Sequence, residues 1–242
     1  MERKLVIVTG GSSGIGMEVC KIFAKNNYDV VICYNTNFLA ANSLKSSLEK
    51  TYNCNISTIK CDISCEDEIK SMFKIVIETY KRIDCLVNNA SIAIDTTVSD
   101  KNVTNFRKIL DVNVIGTFLI SRKVLDYMKE QGFGNVINVS STNAIDTFYP
   151  ESLDYDASKA GIISLTHNLA KYYAPIRVNC ICPGWVDTPM NKNLDPEFRR
   201  IEEEKILLKR FAKPCEIASV IYDINNSSYI NNSIIRVDGG VL

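Results

Sequence analysis

Short apolar runs rich in β-branched residues alternate along the chain with longer stretches in which apolar residues recur every three or four positions. The runs Leu5–Val8, Val30–Tyr34, Ile56–Lys60, Cys85–Asn88, Val136–Val139, Arg177–Ile181 and Ile234–Val237 read as strands. Helical periodicity fits Gly14–Asn26, Leu39–Tyr52, Glu66–Tyr80, Val103–Gln131, Tyr155–Tyr173 and Cys215–Asn225. Such alternation predicts the α/β class: a doubly wound, three-layer sandwich in which a parallel sheet of seven strands is covered by helices on both faces. No linker or low-complexity block divides residues 1–242, which therefore read as a single domain. Only Met190–Ala212 breaks the rhythm, being polar and helix-prone after the sixth strand. It is long enough to form a lid over a site, and is otherwise a surface excursion.

Composition narrows the class without naming an activity. The chain has 242 residues, 46% of them apolar and 23% charged, enough for an ordinary core and unlike a disordered chain, a collagen or a small disulfide scaffold. Twenty-eight basic side chains balance twenty-eight acidic ones, so no net field selects nucleic acid, an anionic membrane or an acidic partner. The apolar run after Lys4 is shorter than the core of a secretory signal, and nothing approaches the roughly 18 apolar residues of a membrane span. A soluble, cytoplasmic protein is expected. Its nine cysteines form no paired array with zinc spacing, so no metal is expected and the thiols read as small buried side chains. Cys180 and Cys182 alternate along one face of a strand.

Two places carry chemistry. Thr9-Gly10-Gly11-Ser12-Ser13-Gly14-Ile15-Gly16 follows the first strand and opens the first helix. Glycine lets the backbone approach a pyrophosphate there, while the free amides and positive end of the helix favour negative charge. The context reads as a dinucleotide site, and the missing Gly-Lys-Ser/Thr ending disfavours ATP or GTP hydrolysis. An acidic residue at the end of the second strand would bind the ribose hydroxyls of NAD; here Asn35, Thr36 and Asn37 follow Tyr34 with no carboxylate. Neutral donors favour NADP(H), with NAD(H) left open.

At the second place, Tyr155 and Lys159 lie one helical turn apart. A phenol is a poor acid–base at neutral pH, and an ammonium beside it lowers its pKa towards proton exchange with an alcohol or carbonyl oxygen. Upstream, the strand ending at Val139 delivers Ser140-Ser141, a hydroxyl source for the same oxygen.

Taken together, Thr9-Gly-x-x-x-Gly-x-Gly16, Asn88-Asn89-Ala90, Asn113, Ser141, Tyr155-x-x-x-Lys159, Pro183-Gly184 and Val237-Asp238-Gly239-Gly240 resemble the short-chain dehydrogenase/reductase family in order and spacing, nearly end to end. The overall pattern is most similar to its 3-oxoacyl-carrier-protein reductases. The resemblance implies a Rossmann-type sheet and hydride transfer between nicotinamide and a carbonyl or alcohol. It makes Tyr155 the general acid–base, Ser141 the hydroxyl that orients substrate, and Lys159 the ribose contact that tunes Tyr155. Asn113 would hold a water linking Lys159 to solvent. Asp62, with Ile63 beside it, matches the adenine contact, Asn89 lies beside ribose, and Val186 and Thr188, after Pro183-Gly184, match the segment that fixes the carboxamide. It also implies a homotetramer or dimer built on the helices containing Asn113 and Tyr155, whose residues Phe118, Leu119, Ile162, Ile163 and Leu165 exceed what a sheet needs to cover it.

Departures from the family pattern are local. Ser91 stands where glycine usually ends Asn-Asn-Ala-Gly, and Asn231-Asn232 replaces Thr-Gly before the last strand. Ser141 lies fourteen residues before Tyr155, one more than usual; if the loop does not absorb the extra residue, Ser140 takes the role. The single histidine, His167, reads as a surface or subunit-contact residue, Trp185 as cleft lining or packing, and Glu202-Glu203-Glu204 as a solvated helix face. An acidic carrier protein should meet a basic patch, which Lys129–Phe133 does not supply, so a hydroxysteroid, sugar or other small alcohol is the alternative substrate class. A non-catalytic redox sensor that binds dinucleotide is the alternative of another kind. Asn113, Ser141, Tyr155 and Lys159 argue against it, because a sensor needs no proton relay.

Overall fold

Strand β1 (Leu5–Thr9) and strand β2 (Asp29–Tyr34) are buried along their whole length, as strands covered on both faces must be. A computed structural model describes residues 3–241; Met1 and Glu2, at the head of the N-terminal segment, and Leu242, which closes the 1–242 span, lie outside the described residues. With β3 (Ile56–Lys60), β4 (Cys85–Asn88), β5 (Asn135–Val139), β6 (Arg177–Pro183) and β7 (Ile234–Val237), the strands form one parallel sheet in the order β3-β2-β1-β4-β5-β6-β7. The predicted seven strands all appear, each within two residues of its expected bounds.

Helix α1 (Gly14–Lys25), α2 (Phe38–Thr51) and α8 (Pro214–Asn226) cover one face of the sheet. On the other lie α3 (Glu66–Tyr80), α5 (Thr117–Gln131) and α6 (Leu153–Tyr172). The two apolar layers meet only through the sheet. Val6, Val8 and Ile32 face α1 and α8, while Leu5, Ile7 and Val31 face the opposite helices, the two-residue period of the strands sorting them. Chain order reverses at β1: β2 and β3 lie to one side of it and β4 to the other, so the loops after β1 and β4 diverge and open a crevice at the carboxyl edge. Register places Cys33, Thr9, Asn88, Asn138 and Cys180 at one level across the sheet, so residues that follow them rise into that crevice.

The long helix expected over Val103–Gln131 is not continuous. Helix α4 (Val103–Leu110) passes through a wide π-type turn at Asp111–Gly116 before α5. Asn113 in that turn exchanges hydrogen bonds with the backbone of Ile92, and Gly116 lies so close to Ile63 that a Cβ would come within 2.8 Å of its carbonyl oxygen. Periodicity cannot reveal a turn imposed by contacts this distant in sequence. Ile162 also departs from expectation, packing inside this chain against Cys180 and Cys182, so the apolar surplus on α5 and α6 is smaller than the sequence suggests.

Within Met190–Ala212 the chain forms α7 (Pro196–Lys205), with Asp195 capping its first turn. Isolated parallel bridging of Val186 with Ala212 closes the base of this excursion. Glu202 is buried rather than solvated: its carboxylate receives the Tyr149 hydroxyl, the Trp185 indole N–H at 3.2 Å and the Lys205 ammonium at 2.5 Å. A charge run read by helical spacing alone takes no account of what the helix leans on. All nine cysteines are free thiols, and His167 lies at the surface with its ring nitrogen 2.6 Å from the Asn232 amide oxygen.

Candidate active site

A cleft of about 980 Å³ follows the carboxyl edge of the sheet. Its floor begins at the turn after β1. Gly10 has φ +62°, and a Cβ there would sit 3.0 Å from the Cα of Ala90, so only glycine lets the turn approach the end of β4. Asn89 ties the two together, donating from Nδ2 to the carbonyls of Thr9 (3.1 Å) and Gly10 (3.2 Å), while the Thr9 hydroxyl receives the amides of Asn89 and Ala90. Ser12, Ser13, Gly14 and Ile15 line the cleft as α1 begins. Gly16 does not; a Cβ on it would lie 2.3 Å from the Gly10 carbonyl oxygen, so its part is close packing of helix on turn.

Asn35, Thr36 and Asn37 form the wall beyond β2, with Asp62 and Ile63 beside them. The Asn37 amide oxygen accepts the Ala40 N–H and caps α2. Asn35 donates to the Asp62 carboxylate at 3.1 Å. Ser64 donates to the same carboxylate from its hydroxyl and its backbone amide, which holds Asp62 below the usual carboxylate range. Sequence reasoning missed the facing wall, where Thr104, Arg107, Lys108 and Asp111 of α4 and the turn after it line the cleft. Their spacing marks one helix face, but only the tertiary fold brings that face over the crevice.

At the inner end, β5 and the start of α6 converge. Lys159 is buried and donates from Nζ to the Val139 carbonyl at 2.9 Å, with the ammonium 5.4 Å from the centre of the Tyr155 ring. Burial brings its pKa down from 10.5 to about 8. The depression of Tyr155 expected from Lys159 does not emerge in this structure: burial drives the phenol far upward, a hydrogen bond with Ser141 opposes it, and Asp156 and Asp95 add to the rise. Ser141, not Ser140, is the neighbour of the phenol. Ser140 spends its hydroxyl on the Lys159 carbonyl at 2.7 Å. The loop between Ser141 and Tyr155 carries short 3-10 turns at Thr142–Ala144 and Pro150–Ser152.

Asn113 stands behind the cleft and does not line it. Its amide oxygen accepts the Ile92 N–H at 2.9 Å, and its two N–H groups go to the Ile92 carbonyl (2.9 Å) and the Ser158 hydroxyl (3.0 Å). These side-chain bonds fasten the segment after β4 to α6. Pro183, Gly184, Val186 and Thr188 close the far side after β6. Trp185 turns away from the cleft and stacks on Phe211 with ring centres 5.2 Å apart, which resolves it as packing.

Such a cleft, with a glycine cradle at one end and a phenol, hydroxyl and ammonium at the other, can hold an extended dinucleotide and exchange a proton with a bound oxygen. Residues 4–198 match the family model described as short chain dehydrogenase. Over the whole chain the sequence is 33% identical to the 3-oxoacyl-acyl-carrier-protein reductase FabG of Thermotoga maritima, covering 99% of that protein. Identity to the enzyme of the same name from Aquifex aeolicus is 31%, again over the whole chain and 98% of the relative. Among solved structures, a short chain dehydrogenase from Bacillus anthracis superposes with a TM-score of 0.91 at 32% identity, over 98% of this chain and 96% of that one. Levodione reductase superposes with a TM-score of 0.91 at 29% identity, over 99% and 98%. The chain is a member of the short-chain dehydrogenase/reductase family, whose named relatives act on carbonyl and alcohol groups.

Proposed function

We propose that the protein is an NADP(H)-dependent oxidoreductase that reduces a carbonyl to an alcohol or runs the reverse reaction, with 3-oxoacyl thioesters as the leading substrate class. The observation that carries this reading is the convergence of Tyr155, Ser141 and Lys159 on the inner end of the same cleft that Gly10 and Gly14 open. The residues fit a dinucleotide: Gly10 lets the turn close onto the end of β4, Ser12, Ser13, Gly14 and Ile15 line the cleft beside it, and the start of α1 presents free amides. When bound, nicotinamide supplies or accepts the hydride. Ser12, Ser13, Gly14 and Ile15 would take the pyrophosphate, Asp62 and Ile63 the adenine, Asn89 and Lys159 the ribose, and Pro183, Gly184, Val186 and Thr188 the carboxamide end.

In reduction, Tyr155 gives its proton to the carbonyl oxygen while Ser141 donates a hydrogen bond to the same atom; in oxidation, Tyr155 takes the proton back. Asn113 supports the site by holding Ile92 and Ser158, and would hold the water that links Lys159 to solvent. Support for NADP(H) over NAD(H) comes from the neutral wall of Asn35, Thr36 and Asn37 and from the start of α2, where a phosphate meets no carboxylate directly after β2. The names of two relatives favour the thioester. Met190, exposed and lining the cleft, favours an apolar substrate and keeps a hydroxysteroid or small alcohol as the second reading. A dinucleotide sensor without turnover is the reading to be excluded.

We further propose one dinucleotide-binding domain with 190–212 as its lid, a cytoplasmic setting, and a homotetramer or dimer formed through α5 and α6. Among the described residues no helix is long and apolar enough to cross a membrane. Incubating the protein with NADPH or NADH and a panel of 3-oxoacyl thioesters, cyclic ketones and steroids, while following nicotinamide absorbance, tests the reading. Turnover of none of them, with tight NADPH binding, would favour the sensor.

A further inference from the structure

Tyr155 is followed by Asp156, a buried carboxylate inside the first turn of α6. No basic side chain pairs with it among its hydrogen bonds. One oxygen receives the Asn143 Nδ2 at 2.7 Å and the Ser152 hydroxyl at 2.9 Å, and the other the Tyr149 backbone N–H at 3.4 Å. A carboxylate only accepts, so it fixes which way the Asn143 amide faces: nitrogen towards Asp156, oxygen towards Ser141. The Ser141 oxygen lies 3.0 Å from that amide oxygen and 3.2 Å from the Asn143 backbone nitrogen, whose N–H it accepts. The Ser141 hydrogen therefore rests on Asn143, and the remaining lone pair of Ser141 is open to the Tyr155 hydroxyl.

We propose that Asp156 and Asn143 are positioning residues that set the hydrogen-bond direction at Ser141, so that Tyr155 rests as a proton donor and the site is poised for carbonyl reduction. Every hydrogen in the chain then points the same way: Tyr155 to Ser141, Ser141 to Asn143, Asn143 to Asp156. When a carbonyl oxygen arrives, Ser141 turns its hydrogen from Asn143 to that oxygen and Tyr155 transfers its proton there. The inference rests on the roles given above to Tyr155 and Ser141.

Other charges around the phenol do not supply this direction. Lys159 lies over the ring with its ammonium bonded to Val139. Asp95 approaches from the segment after β4, and Asp154, whose carboxylate accepts the Tyr155 backbone N–H at 3.0 Å, is paired with Lys101 at 2.7 Å. Asp156 acts both through the relay and as a nearby negative charge that disfavours phenolate.

The test uses Asp156→Asn and Asn143→Ala in the full chain. Asn143→Ala removes the acceptor and frees the Ser141 hydrogen to turn towards Tyr155, where it stabilises phenolate; Asp156→Asn removes the negative charge beside the phenol and, because an amide can donate as well as accept, the constraint that turns the Asn143 oxygen to Ser141. For the reductive reaction, the alkaline limb of the kcat profile should move about one pH unit to lower pH in both variants. NADPH affinity, read by nucleotide fluorescence, should stay within about twofold, a range well under a tenfold step. Asn143→Ala keeps the backbone N–H that holds the turn, so it remains informative if Asp156→Asn folds poorly. An unmoved limb in a folded variant, or effects confined to KM and melting temperature, overturns the proposal and leaves a loop-packing role. Full activity of Tyr155→Phe would instead defeat the parent assignment, which distinguishes the two failures.

Discussion

Lys159 gives its ammonium hydrogen to the Val139 carbonyl at 2.9 Å, so the charge is anchored by the end of β5 and not by the phenol one turn before it. Buried and without a carboxylate among its hydrogen bonds, the ammonium is a local cost of folding that function explains.

Replacing Lys159 with methionine should therefore raise the melting temperature of nucleotide-free protein by about 2–4 °C, the shift for roughly 1 kcal/mol in a chain of this size, while turnover is lost. The pH dependence has a definite sign. With a folded pKa of about 8 against 10.5, the unfolded chain binds the extra proton between those values, so the contribution of Lys159 to stability rises with pH through that window. Melting curves should show the advantage of Lys159→Met shrinking over the same range; a constant gap would mean the ammonium is not desolvated.

Tyr155→Phe removes only the hydroxyl and keeps the ring. Turnover should fall by at least about a hundredfold, the lower scale for losing acid–base catalysis, with NADPH binding nearly intact. Ser141→Ala should lower kcat with similar nucleotide affinity. Ser140→Ala should chiefly lower stability, by about 1 kcal/mol, because it frees the Lys159 carbonyl. The opposite ranking of the two serines in steady-state kinetics would exchange their roles.

Asn35→Asp places a second carboxylate beside Asp62, where the amide now lies 3.1 Å away. A 2′-phosphate should be repelled, and NADPH affinity should fall by at least about tenfold relative to NADH. Asn35→Ala separates lost hydrogen bonding from repulsion. Titrations in which wild-type protein already prefers NADH would reverse the cofactor assignment.

Glu202 joins α7 to the loop before α6 through Tyr149 and to the segment after β6 through Trp185. Glu202→Ala leaves the Tyr149 hydroxyl hydrogen without its acceptor, while Trp185 keeps its 3.3 Å bond to the Tyr149 oxygen, and should cost about 1–3 kcal/mol. If Met190–Ala212 acts as a lid, KM should also rise severalfold with a smaller change in kcat; stability loss at unchanged KM would make it a fixed strut.

Alternating periodicity was enough for the fold because the inner strands, β1 and β2 above all, had to be apolar through their length and each helix apolar along one stripe, whatever the neighbours. The Gly-rich turn after β1 and the Tyr155–Lys159 pair were equally legible, since their chemistry depends on spacing within a single turn. Tertiary contacts decided the rest. Asn113 could be named as a site residue, yet its occupation by Ile92 and Ser158 and the π-type turn around it arise from packing against α6 and the segment after β4. Glu202 belongs to a charge run in sequence and becomes a buried acceptor only because α7 leans on Tyr149 and Trp185. Even the choice between Ser140 and Ser141 was conformational: adjacent residues at a strand end point opposite ways, and the fold gave one hydroxyl to the Lys159 backbone and left the other beside the phenol.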